Sequence, residues 1–190
     1  MLRKLVVTSG DTVYLRPAVP EDAAELIRAI DSVSREGAYL IRSRFDVDLE
    51  TEQAFIAAAE ERGDLLLVAK AGGQVVGWVT LFRPRAEFMQ HTADLGMGVI
   101  RDLRGRGVGS GLMEYALEWA AERGIEKVRL GVRSGNAHAR ALYRRLGFVE
   151  EGYRVGDVKD PAGCYDDVVE MAWFAPSHHP VRQTGEGDDA

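Results

Sequence analysis

Residues Asp94 to Arg123 have the sequence DLGMGVIRDLRGRGVGSGLMEYALEWAAER, and the expected fold is built around this stretch. It begins with a short apolar run, Leu95 to Ile100, and continues into a loop of glycines and arginines, Arg104 to Gly109. An amphipathic helix is predicted next, because apolar residues recur at helical spacing from Leu112 to Ala120. Gly124 follows where a left-handed C-terminal cap is common. The pattern predicts a strand, a loop and a helix in direct succession.

This junction is an expected phosphate site. The first N–H groups of a helix have no partner within the helix, and the helix dipole adds positive potential there. Glycines at Gly105, Gly107 and Gly109 allow the backbone to approach a ligand closely. Arg104 and Arg106 add charge that pairs well with phosphate oxygens. The alternative is that the glycines only form a sharp turn and the arginines are only solvated.

Two common phosphate loops do not fit this stretch. A P-loop requires Gly-Lys-Ser/Thr, and no lysine is present here. A dinucleotide loop requires G-x-G-x-x-G, but Ser110 or Leu112 stands where the last glycine belongs. The pattern R-x-x-G-x-G does fit from Arg104 to Gly109. It resembles the pyrophosphate-binding loop of the GNAT superfamily of acetyl-CoA-dependent N-acetyltransferases.

A second stretch carries the same resemblance. Residues Asn136 to Phe148, NAHARALYRRLGF, resemble the superfamily pattern N-x-x-A-x-x-L-Y-x-x-x-G-F. The resemblance extends over roughly Val13 to Phe174 and looks closest to the bacterial amino-acid and ribosomal-protein acetyltransferases. It implies an α/β fold with a mixed, mostly antiparallel central sheet and flanking helices. It also implies that the strand before the loop and the next strand, near Lys127 to Val132, splay apart to hold pantetheine.

The resemblance implies acetyl-CoA as co-substrate, with no metal, and a set of site residues. Tyr143 matches the tyrosine that protonates the departing thiolate, whose ordinary pKa is about 8.5. The alternative is a core tyrosine on the apolar face of its helix. Asn136 caps that helix, holds the pantetheine amide, or does both. The residues expected to bind the coenzyme are Met97, Gly98, Val99, Arg104, Gly105, Arg106, Gly107, Val108, Gly109, Ser110, Asn136 and Tyr143.

The general base is less clearly indicated. An alkylammonium group with a pKa near about 10 must lose a proton before it attacks. Some ribosomal-protein acetyltransferases carry a glutamate in a pattern like L-E-V-R, but Gly131 stands at that position here. Asp94 is the first substitute candidate, followed by His91 and Glu87. For each of them a solvated surface role is an equal alternative.

Two irregular segments, Ser34 to Leu49 and Gly156 to Asp167, are expected to select the acceptor, since loops on a rigid scaffold carry specificity. Arg42 or Arg44 is a candidate clamp for a substrate carboxylate, which favours a free amino acid; the alternative is a solvated arginine. The candidate substrate-binding residues are Tyr39, Arg42, Arg44, Phe45 and Tyr165.

Three functions are compatible with these patterns. The leading hypothesis is an N-acetyltransferase that moves an acetyl group to a small-molecule amine or a free amino acid. The second is the same chemistry on a protein N-terminus or lysine. The third is a non-catalytic module that senses acetyl-CoA, and an intact Tyr143 argues against it.

Composition limits the class of protein. With 190 residues, 46% of them hydrophobic, residues 1–175 are expected to form one domain, followed by a disordered polar tail at 176–190. A net charge of −6 argues against nucleic acid as partner.

The single cysteine, Cys164, suits a reducing cytosol. No apolar run is long enough for a membrane span, and Met1 to Ser9 is too short in its apolar part for a signal peptide. A cytoplasmic location is expected, and the resemblance implies a homodimer as a common arrangement.

The remaining pattern predicts further elements around the two motifs. Pro17 and Pro20 end a first strand, and Gly72-Gly73 marks a hairpin turn. His178-His179 in the tail is either a metal-binding pair or, as favoured here, a solvated one. The predicted elements are a strand at Val13 to Arg16, helices from Glu21 and from Thr51 to near Gly63, a hairpin of Leu65 to Ala71 with Val75 to Phe82, and an antiparallel pair of Val149 to Val155 with Val168 to Phe174.

Overall fold

Eight strands and four helices are present in the part of the chain that this computed structural model describes, residues 2–8, 10 and 12–176. Three single-turn 3-10 helices, Pro20–Asp22, Glu87–Met89 and Arg101–Leu103, lie between them. The strands and helices are β1 (Arg3–Val6), β2 (Thr12–Pro17), α1 (Ala23–Ser34), α2 (Leu49–Ala57), β3 (Leu65–Ala71), β4 (Gln74–Phe82), β5 (Thr92–Val99), α3 (Val108–Glu122), β6 (Lys127–Arg133), α4 (Ala137–Arg145), β7 (Val149–Lys159) and β8 (Tyr165–Phe174).

The strands form one sheet in the order β1-β2-β3-β4-β5-β6-β8-β7. Every neighbouring pair is antiparallel except β5 and β6, which are parallel. The predicted mixed, mostly antiparallel sheet is therefore confirmed. So are the β3–β4 hairpin, the closing antiparallel pair β7–β8 and the direct succession of β5, loop and α3.

Two hydrophobic cores lie on the two faces of the sheet. Alternate side chains of a strand point to opposite faces, so one sheet serves both cores. On one face α3 contributes Val108, Leu112 and Met113, all fully buried, and the buried Tyr143 of α4 belongs to the same core. On the other face α1 and α2 pack with Trp78 of β4 in a second core. The central strands are thus covered on both sides.

The structure corrects three details of the expected order. The segment Gly156 to Asp167, expected to be irregular, belongs to β7 as far as Lys159 and to β8 from Tyr165. The second helix begins at Leu49, where the Asp48 carboxylate accepts the Thr51 N–H at 2.9 Å as an N-terminal cap, and it ends at Ala57 instead of near Gly63. A strand at Arg3–Val6, which was not predicted, pairs with β2. The strand propensity of this short segment is weak, and the pairing with β2 stabilises it.

Within the described residues no helix has both the length and the apolar character needed to cross a membrane. The expected disordered tail, including His178-His179, lies outside the described residues from position 177 onward.

A buried ionic cluster fastens the start of α1 to the sheet. The Asp22 side chain is 1% exposed and accepts two hydrogen bonds from Arg16, at 2.6 and 2.8 Å. It also accepts one from Lys70 Nζ at 2.8 Å and one from the Val19 N–H at 3.0 Å. Burial alone would raise the pKa of this carboxyl group, but the bonds from Arg16, Lys70 and Val19 outweigh that effect and lower its pKa to about 2.

Asp22→Asn should destabilise the protein by about 3 kcal/mol at pH 7, because it leaves Arg16 and Lys70 without their buried counter-charge. The folded pKa of about 2 lies below an unfolded value of about 3.9, so this stabilisation is present above pH 4 and is lost as the pH falls toward 2. Urea denaturation at pH 7 and pH 3 measures the effect. Glu21→Gln, which changes the exposed neighbouring carboxylate, is the control and should stay within about 0.5 kcal/mol of wild type. Equal stability of the Asp22 variant and wild type at pH 7 contradicts the account.

Candidate active site

A gap opens in the middle of the sheet. The parallel ladder between β5 and β6 consists of three pairs, from Thr92–Lys127 to Asp94–Arg129, and it ends there. The other edge of β5 stays paired with β4 as far as Val99. The N–H and C=O groups on the β6 side of Leu95–Val99 therefore face the gap instead of a strand. The splay expected from the resemblance is present.

A cavity of about 990 Å³ occupies this gap. Its walls include Leu95–Val99 of β5 and Leu130–Val132 of β6. On one face of the sheet it reaches the segment after α1, at Tyr39–Ile41, and on the other it reaches the start of α3 and the α4 residue Tyr143. The cavity thus connects the two faces, so that two reactants entering from opposite sides can meet between β5 and β6.

The loop before α3 has the backbone that the glycines predicted. Gly105 and Gly107 have φ angles of 70° and 95°, in the left-handed region that favours glycine. Gly107 is the N-cap of α3, and a Cβ atom on it would meet no protein atom within 4 Å. The first turn of α3 therefore begins beside open space in the cavity wall, where its N–H groups are available to an anion.

Most of the predicted coenzyme residues line one cavity. Val108 differs, since its side chain is completely buried in the core and only its backbone can take part. Arg106 is not in the cavity wall; its carbonyl oxygen accepts the Thr8 N–H at 3.3 Å. The predicted residues in the wall are Met97, Gly98, Val99, Arg104, Gly105, Gly107, Gly109, Ser110, Asn136 and Tyr143.

The side chain of Arg104 already has protein partners. Its guanidinium donates to both carboxylate oxygens of Glu36, at 2.8 and 2.6 Å, and its Nε donates to the Val99 carbonyl oxygen at 2.8 Å. It also lies 4.6 Å from the ring centroid of Tyr39. These hydrogen bonds from Arg104 lower the pKa of Glu36 and keep it ionised. Arg104 therefore ties the segment after α1 to the loop, and phosphate binding by its charge stays a prediction.

Tyr143 and Asn136 meet the chemical requirements of their predicted roles. Tyr143 is 6% exposed, and its ring lies 5.6 Å from that of Phe148. Burial raises the pKa of its phenol well above the usual value, so the group keeps its proton at neutral pH. The Asn136 side-chain oxygen accepts the Ala139 N–H at 3.1 Å, which confirms the cap of α4. Asn136 also lines the cavity, and its amide nitrogen is a donor group suited to a ligand there.

The candidates for acceptor binding separate into two groups. Tyr39 lines the cavity. The other four, which do not line it, are Arg42, Arg44, Phe45 and Tyr165. The Arg42 guanidinium lies 5.5 Å from the Phe45 ring, and Tyr165 is 67% exposed. Of these five candidates the structure brings only Tyr39 into the cavity wall, and a role of the other four in acceptor binding stays a prediction.

Asp94 lies at the last β5–β6 pair, where the gap begins. Its carboxylate accepts from the Arg129 guanidinium at 2.9 and 2.7 Å, and its side chain is 56% exposed. Among the described residues, neither Asp94 nor the secondary candidates His91 and Glu87 are part of the cavity wall. The role of Asp94 as general base stays a prediction; the contact that the structure shows for it is the ion pair with Arg129.

Sequence reasoning missed several residues of the site. Glu36 and Leu40 belong to a segment without periodicity, and their positions depend on contacts with Arg104 and the cavity. His138 and Arg145 line the cavity from α4, where their helical spacing gave no separate signal. The sequence motif identified the helix that carries Tyr143, but it did not indicate which other side chains of that helix line the cavity.

Comparison with known proteins agrees with this geometry. The model of the acetyltransferase (GNAT) family matches residues 27–148, and the chain belongs to that family. An L-methionine sulfoximine/L-methionine sulfone acetyltransferase of Pseudomonas paraeruginosa is 36% identical over 109 residues, which are 56% of this chain and 63% of that protein. The chain thus spans less than two thirds of the length of this curated relative.

Solved structures share the fold. An acetyltransferase of the GNAT family from Streptococcus pneumoniae superposes with a TM-score of 0.82 at 28% identity, over 86% of this chain and 99% of that one. A ribosomal-protein-alanine N-acetyltransferase from Brucella melitensis gives a TM-score of 0.78 at 27% identity, over 85% and 99% of the two chains. The fold of almost the whole of each neighbour is therefore present here.

Proposed function

We propose that this protein is an N-acetyltransferase that moves the acetyl group of acetyl-CoA to the primary amine of a small molecule or free amino acid by direct attack. One observation carries the proposal. The β5–β6 ladder ends after three pairs, and the gap that follows leads to the glycine-bounded start of α3. Membership of the GNAT family supports the same conclusion.

The residues present fit acetyl-CoA. The N–H groups at the start of α3, with Gly105 and Gly107 beside them, suit a diphosphate, because no side chain blocks the approach. The edge of Met97–Val99 that has no strand partner offers N–H and C=O groups to the amides of a pantetheine arm, apart from the Val99 carbonyl oxygen, which accepts from Arg104. Asn136 of the cavity wall adds a side-chain amide as a further donor. The bound coenzyme supplies the activated acyl group.

The chain's own groups supply what acetyl transfer requires. A neutral amine attacks the thioester carbonyl, and negative charge grows on its oxygen. The backbone N–H groups of β5 that face the gap are suited to stabilise this charge, since the pairing of β5 with β4 fixes their positions. The phenol of Tyr143 keeps its proton at neutral pH and is suited to transfer it to the departing sulfur.

A small acceptor is favoured over a protein. We take the face of the sheet that carries α1 as the acceptor face. There the Arg104–Glu36 pair holds the segment after α1 in place, and Tyr39–Ile41 of that segment line the cavity. A pocket covered in this way suits a compact amine. The Pseudomonas relative, named for acetylation of an amino-acid derivative, supports the same choice. The Brucella neighbour, named for a ribosomal-protein substrate, is the reason to retain a protein N-terminus as the alternative.

A thiol-release assay over a panel of acceptors tests the proposal. The panel contains L-methionine sulfoximine, ordinary α-amino acids, diamines and a peptide that begins with alanine. Release of free CoA thiol is expected with at least one small amine and to be slower with the peptide. A preference for the peptide moves the assignment to protein acetylation. Binding of acetyl-CoA with no thiol release from any acceptor overturns the proposal and indicates a sensing role.

A further inference from the structure

A glycine in β6 makes room for a charged pair from the neighbouring strands. Gly131 lines the cavity and pairs with Glu170 of β8. A Cβ atom on Gly131 would lie 3.0 Å from Val168 Cγ1, 3.1 Å from Arg154 Nη2 and 3.4 Å from Glu170 Oε1. Any side chain at position 131 would therefore crowd these groups. Glycine inside a strand often marks such a close approach.

The Glu170 carboxylate consequently lies beside Gly131, which is part of the cavity wall, although Glu170 itself is not. Neighbouring strands are about 4.8 Å apart, so this carboxylate lies roughly one strand spacing from the space between β5 and β6. The Glu170 side chain is 35% exposed and pairs with Arg154 Nε at 2.6 Å. A carboxylate has about four lone-pair positions, so this ion pair leaves capacity for a second donor.

Glu170 also lies on the acceptor face of the sheet. Arg133, two residues after Gly131 and hence on the same face, donates to the Gly37 carbonyl oxygen and holds the segment that leads to Tyr39. Leu130, with its side chain on the opposite face, belongs to the core that contains Tyr143. The carboxylate and the phenol are thus on opposite sides of the gap, as a base and an acid must be if each serves a different end of the reaction.

Other carboxylates near the cavity are less suited to accept a proton from an ammonium group. Both oxygens of Glu36 accept from the Arg104 guanidinium. Asp94 pairs with two nitrogens of Arg129 and lies at the last β5–β6 pair, before the gap opens. Glu170 pairs with Arg154 through Oε1, and the Arg154 guanidinium also reaches over Gly131; among the described residues this ion pair leaves Oε2 to accept a proton.

We propose that Glu170 is the general base for the acceptor amine, an inference that rests on the acetyl transfer proposed above. The ammonium group of the acceptor gives one proton to the Glu170 carboxylate. The nitrogen then forms a bond to the acetyl carbon and releases its second proton to solvent, the bond from that carbon to sulfur breaks, and sulfur receives its proton from Tyr143. Solvent afterwards removes the proton from Glu170 and returns one to Tyr143.

Strands on both sides of Glu170 supply the charged groups that surround it. From β7, Arg154 contacts it directly and also pairs with Asp157. From β6, Arg129 and Arg133 lie two residues on either side of Gly131, each with an acidic partner, Asp94 and Asp166 respectively. Arg154 is shared by the two carboxylates of Glu170 and Asp157, and the other charges are paired one to one. The group therefore carries one net negative charge, which suits it to attract an ammonium ion.

Glu170→Gln tests the assignment with an acceptor on which the wild-type protein is active. Turnover should fall about a hundredfold at pH 7.5, because only acceptor that is already neutral can attack. Turnover should then rise with pH, about tenfold per unit, until the amine itself loses its proton near pH 10. The affinity for acetyl-CoA should stay within about twofold, since the variant keeps the α3 loop intact. A purely structural role for Glu170 would not produce recovery at high pH.

Two further variants make the result decisive. Glu150→Gln removes an exposed β7 carboxylate that pairs with Arg140 and Arg144, and it should leave turnover and pH profile unchanged. Asp94→Asn removes the competing candidate, and its turnover should not show the steep recovery with rising pH that is expected of Glu170→Gln. The inference is wrong if Glu170→Gln retains wild-type turnover and pH profile, or if the pH-dependent loss appears in Asp94→Asn instead. Failure of the proposed acetyl transfer can be distinguished from failure of the Glu170 assignment, because in the first case the wild-type protein itself would release no thiol.

Discussion

Tyr143→Phe should bind acetyl-CoA as tightly as the wild-type protein and turn over about a thousandfold more slowly, because the departing thiolate loses its proton donor. The phenol lies in the cavity wall, and burial raises its pKa. A raised pKa means that the group is protonated throughout the range from pH 6 to pH 9. Ionisation of Tyr143 should therefore cause no loss of wild-type activity in that range. Steady-state thiol release and calorimetric titration measure the two effects separately.

Tyr115→Phe is the matched control for this variant. Tyr115 is also 6% exposed and belongs to the same hydrophobic core, but it lies on α3 and does not line the gap cavity. Its loss of one hydroxyl group should change turnover by less than about twofold, as expected for a change away from the reacting atoms. Normal turnover in Tyr143→Phe would show that another group protonates the sulfur, and Tyr143 would then be a core residue.

Gly107→Val should weaken acetyl-CoA binding by about a thousandfold, equivalent to roughly 4 kcal/mol. Gly107 has φ of 95°, and a side chain on it would project into the open space at the start of α3 instead of meeting protein atoms. That space is where the proposed diphosphate lies. The β-branched side chain is also strained in this conformation, so some loss of stability accompanies the loss of binding.

Gly124→Val separates these two effects. Gly124 follows the other end of α3, has φ of 68°, and a Cβ atom there also meets nothing within 4 Å. It carries a comparable backbone strain without being part of the cavity wall. Its melting temperature should fall as that of Gly107→Val does, while its affinity for acetyl-CoA should equal that of wild type. Equal affinity in both variants would remove the proposed role of the loop.

Local patterns predicted much of the fold, whereas long-range contacts decided the site. The succession of β5, loop and α3 was predictable because glycine spacing and helical periodicity are properties of adjacent residues. The role of Arg104 was not, because its partner Glu36 is 68 residues away in an irregular segment. Charge in the loop suggested a phosphate contact, whereas the structure shows an ion pair with Glu36, a partner that local sequence patterns do not identify.

The same distinction explains the candidate base. Gly131 was recognised as a position without a usable side chain, but its sequence neighbours do not reveal what fills the space above it. That depends on the register between β6 and β8, which sets Glu170 opposite Gly131. Asp94 was selected because it adjoins the central motif, yet strand alternation and Arg129 direct its carboxylate to an ion pair. Register is a non-local property, since it is set by hydrophobic pattern and turns together.

Calorimetric titration of the purified chain with acetyl-CoA, CoA and pantetheine tests the central claim, that the start of α3 binds a diphosphate. Acetyl-CoA and CoA should each bind at one site per chain. Pantetheine, which has the same arm but no diphosphate, should bind at least about a hundredfold more weakly, a difference of roughly 2.7 kcal/mol. Absence of heat with acetyl-CoA and CoA, or equal affinity for pantetheine and CoA, would contradict the account.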